Sequence, residues 1–201
     1  MLVLSLIMLF VCIVMPLGFA WSLWRADEAS LAGWLVTAAY AATLVFLIMA
    51  VGRWDIASDY LRWAVLAMFV LALVLSFFRH RHRPLRAPDG RPIWRSHWPT
   101  ILPLVVFLAG AIHVGLGMIA PTEARELTFP IKDGRYMVVH GGNSVLINYH
   151  QAHAPQAYAV DIVGLNAAGV RASGVHPQEL GSYAIFGARV VAPCSGEVVE
   201  V

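Results

Sequence analysis

The chain has 201 residues, of which 59% are hydrophobic and 13% charged, with a formal net charge of +2. A mean hydropathy of +0.69 excludes a single soluble domain of this length and points to a membrane protein. The positive charge is gathered in one connection beside apolar runs, which suits anionic lipid head groups and gives no ground for a nucleic-acid partner.

Four runs are apolar and long enough for a helix to cross a hydrocarbon core: about residues 2–24, 31–52, 61–78 and 101–120. None has an acidic residue or an arginine in its middle. The first lacks a basic leading region and is longer than a signal-peptide core, so it reads as a retained span. The third connection, residues 79–95, holds Arg79, Arg81, Arg83, Arg86, Arg91 and Arg95 against one acid, Asp89. The positive-inside rule places it in the cytoplasm. The loop with Arg25, Asp27 and Glu28 is then cytoplasmic too, while the loop over residues 53–60, both termini and everything after the fourth span are outside. Trp21, Trp24, Trp34, Trp54, Trp63, Trp94 and Trp98 all stand near predicted span ends, where an amphipathic indole suits the membrane interface. Ala38 and Ala42 form a small-x-x-x-small pair that allows close helix packing.

Composition changes after Ala120, dividing the chain into a four-helix transmembrane region, 1–120, and an external β domain, 121–201. Short strands are predicted over residues 128–130, 136–140, 144–150, 157–163 and 183–186, with a closing hairpin over 190–201. Turns are expected at Lys132-Asp133-Gly134 and Gly141-Gly142-Asn143. Residues 164–181 read as an ordered surface loop. About 80 residues can only just bury a core of their own. The last strand has no pairing partner in the sequence, which predicts either further chain or strands supplied by a partner.

The candidate chemistry lies between residues 148 and 161. His150, His153 and Asp161 are two imidazoles and a carboxylate close in sequence, with a turn at Pro155 between two strands; converging, they suit zinc. On spacing alone, two solvated histidines and a turn-capping aspartate are at least an equal reading. Elsewhere, His113 lies alone within the fourth span, either on a proton or ion pathway or bonded to a neighbouring helix. His80 and His82 alternate with arginines that repel a cation. His140 and His176 read as surface residues. Cys12 and Cys194 fall in different regions and do not predict a bridge. Cys194, in the hairpin turn, has no base near it in sequence.

The order of His, then Tyr158-Ala159-Val160-Asp161-Ile162, then a loop and Gly187, Val190, Ala192, Pro193, Gly196 and Val198 in register resembles the lysostaphin/LytM-type zinc endopeptidases over about residues 146–201. That family carries a His-x-x-x-Asp ligand motif, then a Gly-x-x-Val-x-Ala-Pro-x-x-Gly-x-Val hairpin. The resemblance implies Asp161 as a zinc ligand. It places Ala157, which cannot bind metal, where the family has its histidine. His150 or His153 would then have to fold back to the metal, and His150 is preferred because it ends the apolar stretch Val145-Leu146-Ile147.

The family's later His-x-His strand and catalytic imidazole have no counterpart after Gly196. Half a zinc site is therefore expected, with the 201-residue chain inactive as written. Together the spans and the resemblance imply a membrane-anchored zinc metallopeptidase-like hydrolase at the bacterial cytoplasmic membrane, directed at peptidoglycan peptides of the cell wall. The spans leave room for a homo-oligomer or a membrane partner.

Residues 191–199 also resemble the half-motif of lipoyl-like barrel-sandwich hybrids. This implies the alternative of a non-catalytic β-module that scaffolds, although such a module needs no His or Asp ahead of the hairpin. A degenerate LytM-like regulator without metal is the third reading, and Ala157 favours it.

Overall fold

The computed structural model describes residues 2–120 and 122–197. Four helical segments are long and apolar enough to cross a membrane: Val3–Arg25, Leu31–Val51, Asp59–His80 and Trp98–Gly117. The first is α1 (Leu2–Leu9) joined to α2 (Met15–Arg25) through a π-helical turn, Phe10–Val14. Pro16 sits just beyond that turn. Its missing N–H cannot close a helical bond, and a wider turn absorbs the defect.

The second span, α3 (Leu31–Val51), starts at Ser30, whose Oγ accepts from the Gly33 N–H at 3.1 Å. It is the most enclosed helix, with Trp34, Ala38, Ala41, Val45, Ile48 and Met49 in the core. The Ala38 and Ala42 pair thus lies inside the chain's own bundle, Ala38 in the core and Ala42 packed against it. A short α4 (Trp54–Ala57) leads into the third span, α5 (Asp59–His80). After the arginine-rich connection, α6 (Ile93–Ser96) precedes the fourth span, α7 (Trp98–Gly117). Helix α2 packs along α5, and α3 along α7.

The tryptophans divide into two groups. Trp21, Trp24, Trp63, Trp94 and Trp98 are exposed at helix ends, as expected of interfacial indoles, but Trp34 and Trp54 are buried. Trp34 donates its indole N–H to Ser76 Oγ at 2.9 Å, and Trp54 donates to the Ile48 carbonyl at 3.1 Å. These two indoles turn inward because a buried N–H finds a protein acceptor there.

Among the described residues the tail holds one small antiparallel sheet. Strand β1 (Arg135–His140) pairs with β2 (Asp161–Leu165), Arg135 opposite Leu165 and Val138 opposite Ile162, and an irregularity then brings His140 opposite Asp161. The structure corrects the other expected strands. Residues 144–150 form a turn and the start of a 3₁₀ segment, Tyr149–Ala152, because the Ser144 carbonyl accepts from the Ile147 and Asn148 N–H groups. Of residues 157–163, only those from Asp161 onward are strand. Residues 128–132 meet 189–193 through single backbone bonds, with one isolated bridge between Ile131 and Val190. Residues 183–186 contribute one bridge, Ala172 to Tyr183. The closing hairpin is not a ladder over residues 191–197, and residues 198–201 lie outside the described residues.

The tail rests on one end of the bundle, beside the connection between α3 and α5. Ser58 Oγ donates to the Ala168 carbonyl at 2.7 Å, Asp59 N–H to the Gly169 carbonyl at 2.9 Å, and Arg171 N–H to the Asp55 carbonyl at 2.8 Å. Residues 164–181 are therefore in part a docking segment. Gly169, at φ +73°, turns directly above Ser58 and Tyr60, where a Cβ would meet the Tyr60 ring at 3.0 Å. The opposite end of the bundle gathers the first and third connections: Arg83 pairs with Asp27 at 2.6 Å and His97 with Glu28 at 3.1 Å.

Candidate functional site

Two of the three sequence-predicted metal residues come together. His150 is held in its 3₁₀ segment, its N–H donating to Asn148 Oδ1 at 3.3 Å, and Asp161 opens β2. His150 Nε2 stands 3.0 Å from Asp161 Oδ1, and His150 Nδ1 stands 3.2 Å from Gln156 Oε1. The imidazole is largely buried, at 11% side-chain exposure, whereas Asp161 is 38% exposed. The rigidity expected of an apolar strand is supplied instead by Asn148. That fully buried amide donates to the Gly142 carbonyl at 3.1 Å and the Ala159 carbonyl at 3.2 Å, tying the turn to the segment that leads into β2.

His153 is not brought to Asp161. Its side chain is exposed, and its backbone N–H bonds to the His150 carbonyl at 2.9 Å. Among the described residues no group of three or more His, Cys, Asp or Glu side chains is placed to hold a metal ion. His150 and Asp161 thus bond to each other, and no third such donor joins them among the described residues.

Three neighbours of the pair have no signal in the sequence. His140, expected as a surface residue without partners, ends β1 opposite Asp161 and packs edge-on against Tyr149, with ring centroids 4.8 Å apart. Tyr149 in turn covers His150 at 4.1 Å. Gln156 supplies the oxygen on Nδ1. Only the pairing of β1 with β2 places His140 here, and no local pattern announces Gln156.

Two oxygen acceptors flank both ring nitrogens of His150. A neutral imidazole has one N–H and one lone pair, so it can satisfy only one of them. The Asp161 carboxylate foremost, together with Gln156, raises the imidazole above its ordinary value of 6.5. A second proton on the ring resolves the conflict at Nε2.

Two further polar clusters mark the ends of the bundle. Where the tail docks, Asp55 is wholly buried and takes a bidentate pair from Arg53, at 2.8 and 2.7 Å, with Arg171 of the tail 3.5 Å away. At the other end, His80 Nε2 accepts from the Glu28 N–H at 3.1 Å while Nδ1 donates to the Ser76 carbonyl at 2.7 Å, which fixes the Nδ1–H tautomer. Glu28 also accepts from Thr37 at 2.9 Å. His80 therefore turns into the bundle, away from the arginines that flank it in sequence. His113 faces outward from α7.

No family model, characterised protein or solved structure matches the chain.

Proposed function

We propose that the chain is a membrane-anchored module related to the LytM-type zinc peptidases, in which His150 and Asp161 are two of the metal ligands and cell-wall peptides are the substrate class. The observation carrying this reading is the His150 environment. Gln156 Oε1 lies 3.2 Å from Nδ1 and Asp161 Oδ1 lies 3.0 Å from Nε2, so once the proton shared with Asp161 leaves, Gln156 holds the Nδ1–H and the Nε2 lone pair faces the carboxylate. A metal-bound histidine characteristically donates its other N–H to an oxygen acceptor, which fixes the tautomer.

Bound zinc supplies a Lewis acid for peptide hydrolysis. The chain's own residues do the rest of what this reading requires: Asn148 fixes the turn, Gln156 orients the ring, and Tyr149 covers one face. A catalytic zinc takes three protein ligands, so the reading requires a third donor from outside the described residues. The positive-inside rule supports a tail on the outer face of a bacterial cytoplasmic membrane, where peptidoglycan lies.

The second reading is a non-catalytic module that scaffolds or regulates. It is favoured by the lack of a third donor among the described residues and by the firm docking of the tail through Arg171 on Asp55.

Zinc titration of the full chain in nanodiscs separates the two. The peptidase reading expects zinc binding that His150→Ala and Asp161→Asn each weaken by about 10- to 100-fold, with His153→Ala unchanged. Zinc uptake equal in the wild type and the His150→Ala/Asp161→Asn double variant would leave the scaffold reading standing.

A further inference from the structure

Helix periodicity lays two matching stripes along the first and third spans. On α2, Leu17, Trp21 and Trp24 succeed one another on one face; on α5, Met68, Leu71 and Leu75 do the same. Between them runs an apolar groove of about 340 Å³. Its floor is Ala20 and Ala72, both buried, while Trp21, Trp24, Met68 and Leu71 stand exposed as walls. The groove exists because alanines occupy the packed line where larger side chains would fill it.

Each stripe ends in an arginine. Arg25 is four residues beyond Trp21, and Arg79 four beyond Leu75. The Arg25 guanidinium lies 5.7 Å from the Trp21 ring centroid and the Arg79 guanidinium 5.3 Å from that of Trp24, so both charges are held at the mouth of the groove by its own walls. Arg79 also donates to the Leu23 carbonyl at 3.3 Å and to the Trp24 carbonyl. Both side chains are exposed, and neither makes an ion pair among the described residues.

The groove and the arginines beyond it together match the depth of one leaflet. The lining from Met68 to Leu75 rises roughly 10 Å, and Arg79 stands one turn further, roughly 16 Å from Met68, against about 15 Å for one leaflet of hydrocarbon. A chain lying along the floor from mid-membrane outward reaches head-group level where the two guanidiniums stand. These lie at the end of the bundle away from the tail, which the positive-inside rule makes the cytoplasmic leaflet.

We propose that this groove is a binding site for an anionic phospholipid, one acyl chain lying over Ala20 and Ala72 and the phosphate held between Arg25 and Arg79. The site is independent of the zinc reading. Arginine is suited to the phosphate by its fork of donors, and its hold on Trp21 and Trp24 leaves N–H groups free to point outward.

Native mass spectrometry of the full chain released from detergent tests it, using phosphatidylglycerol, phosphatidylcholine and glycerol phosphate as probes. Phosphatidylglycerol is expected to be retained over phosphatidylcholine, with Arg25→Gln and Arg79→Gln each lowering that preference roughly five-fold. Arg91→Gln, away from the groove, leaves it unchanged. Ala72→Leu lowers retention of both lipids by filling the floor, and thermal melting shows whether that variant has folded. If it has not, Arg25→Gln still decides, because the Arg25 side chain makes no hydrogen bond among the described residues. Equal retention of the two lipids, an Arg91→Gln loss as large as that of Arg25→Gln, or equal binding of glycerol phosphate without chains overturns the proposal.

Discussion

The bundle hides Leu23, Trp34, Val45 and Phe69 among many apolar side chains, whereas the tail hides Ser144, Asn148 and His150, with Ile147 and Ala172 its only comparably buried apolar side chains among the described residues. Apolar packing is non-directional and tolerates local change; a fold pinned by a few polar side chains depends on each of them. The tail therefore has little core of its own, and its order is borrowed from local hydrogen bonds and from the end of the bundle it rests on. Polar pins can be removed singly, so this contrast can be broken one contact at a time.

The largest effect is expected at Asp55. Its carboxylate is wholly buried between Arg53 and Arg171, and Asp55→Ala leaves two guanidiniums facing each other without a counter-charge. Removing one partner of a buried pair costs about 3–5 kcal/mol; the two arginines are partly exposed, at 30% and 20%, which favours the lower end. Hydrogen exchange in nanodiscs is expected to show the amides of residues 168–172 losing protection while the middle of α3 keeps its own. Equal loss in both regions would mean that tail and bundle are one cooperative unit, and the contrast would fail.

Asn148→Ala comes next. It removes donors from the Gly142 and Ala159 carbonyls and an acceptor from the His150 N–H. Buried groups left unpaired cost about 1–3 kcal/mol. Exchange should quicken around residues 142–159, with the docking segment less affected, because its bonds to Ser58 and Asp59 remain. Protection unchanged near residue 150 would show that the turn does not depend on this amide.

The same contrast explains which parts of the molecule are legible in the sequence. All four spans can be read because a run of about 20 apolar residues has few other fates, and the arginine count assigns the first and third connections to one end of the bundle. Trp34 and Trp54 escape the reading because position near a span end does not say which way an indole points; Ser76 and the Ile48 carbonyl decide that. In the tail, Val145-Leu146-Ile147 resembles a strand, but Ser144 and Asn148 on either side bond to nearby backbone and bend it into a turn. His150 and Asp161 are legible as a pair only through their nearness in sequence, since the motif covers Asp161 alone and the strand expected to favour His150 over His153 is a turn. His140 is not legible, because its place opposite Asp161 depends on an irregularity between Val138 and His140 in the pairing of β1 with β2. The pair of Asp55 with Arg171 joins two regions with no shared local signal.

The smallest effect, and the one that bears most directly on the site, is the pH dependence of the tail. Asp161 is 38% exposed, so water screens its pair with His150 and the energy at stake is modest. The sign is nevertheless fixed. The folded imidazole is raised above its ordinary 6.5, first by the Asp161 hydrogen bond and then by Gln156, so the folded tail binds the proton more tightly than the unfolded chain. The stabilisation is complete below about pH 6.5 and is lost as pH climbs through the raised value. Thermal melting of the tail, monitored by exchange with chelator present, should show a downward slope from about pH 6.5 upward that Asp161→Asn flattens. A slope that rises with pH, or one that survives Asp161→Asn, would separate the pair from the tail's stability. Adding zinc sharpens the test, because a metal must displace the same proton. If Nε2 and Asp161 hold a cation, zinc should stabilise the tail most at the alkaline end, where the proton is already gone, and the slope should turn upward.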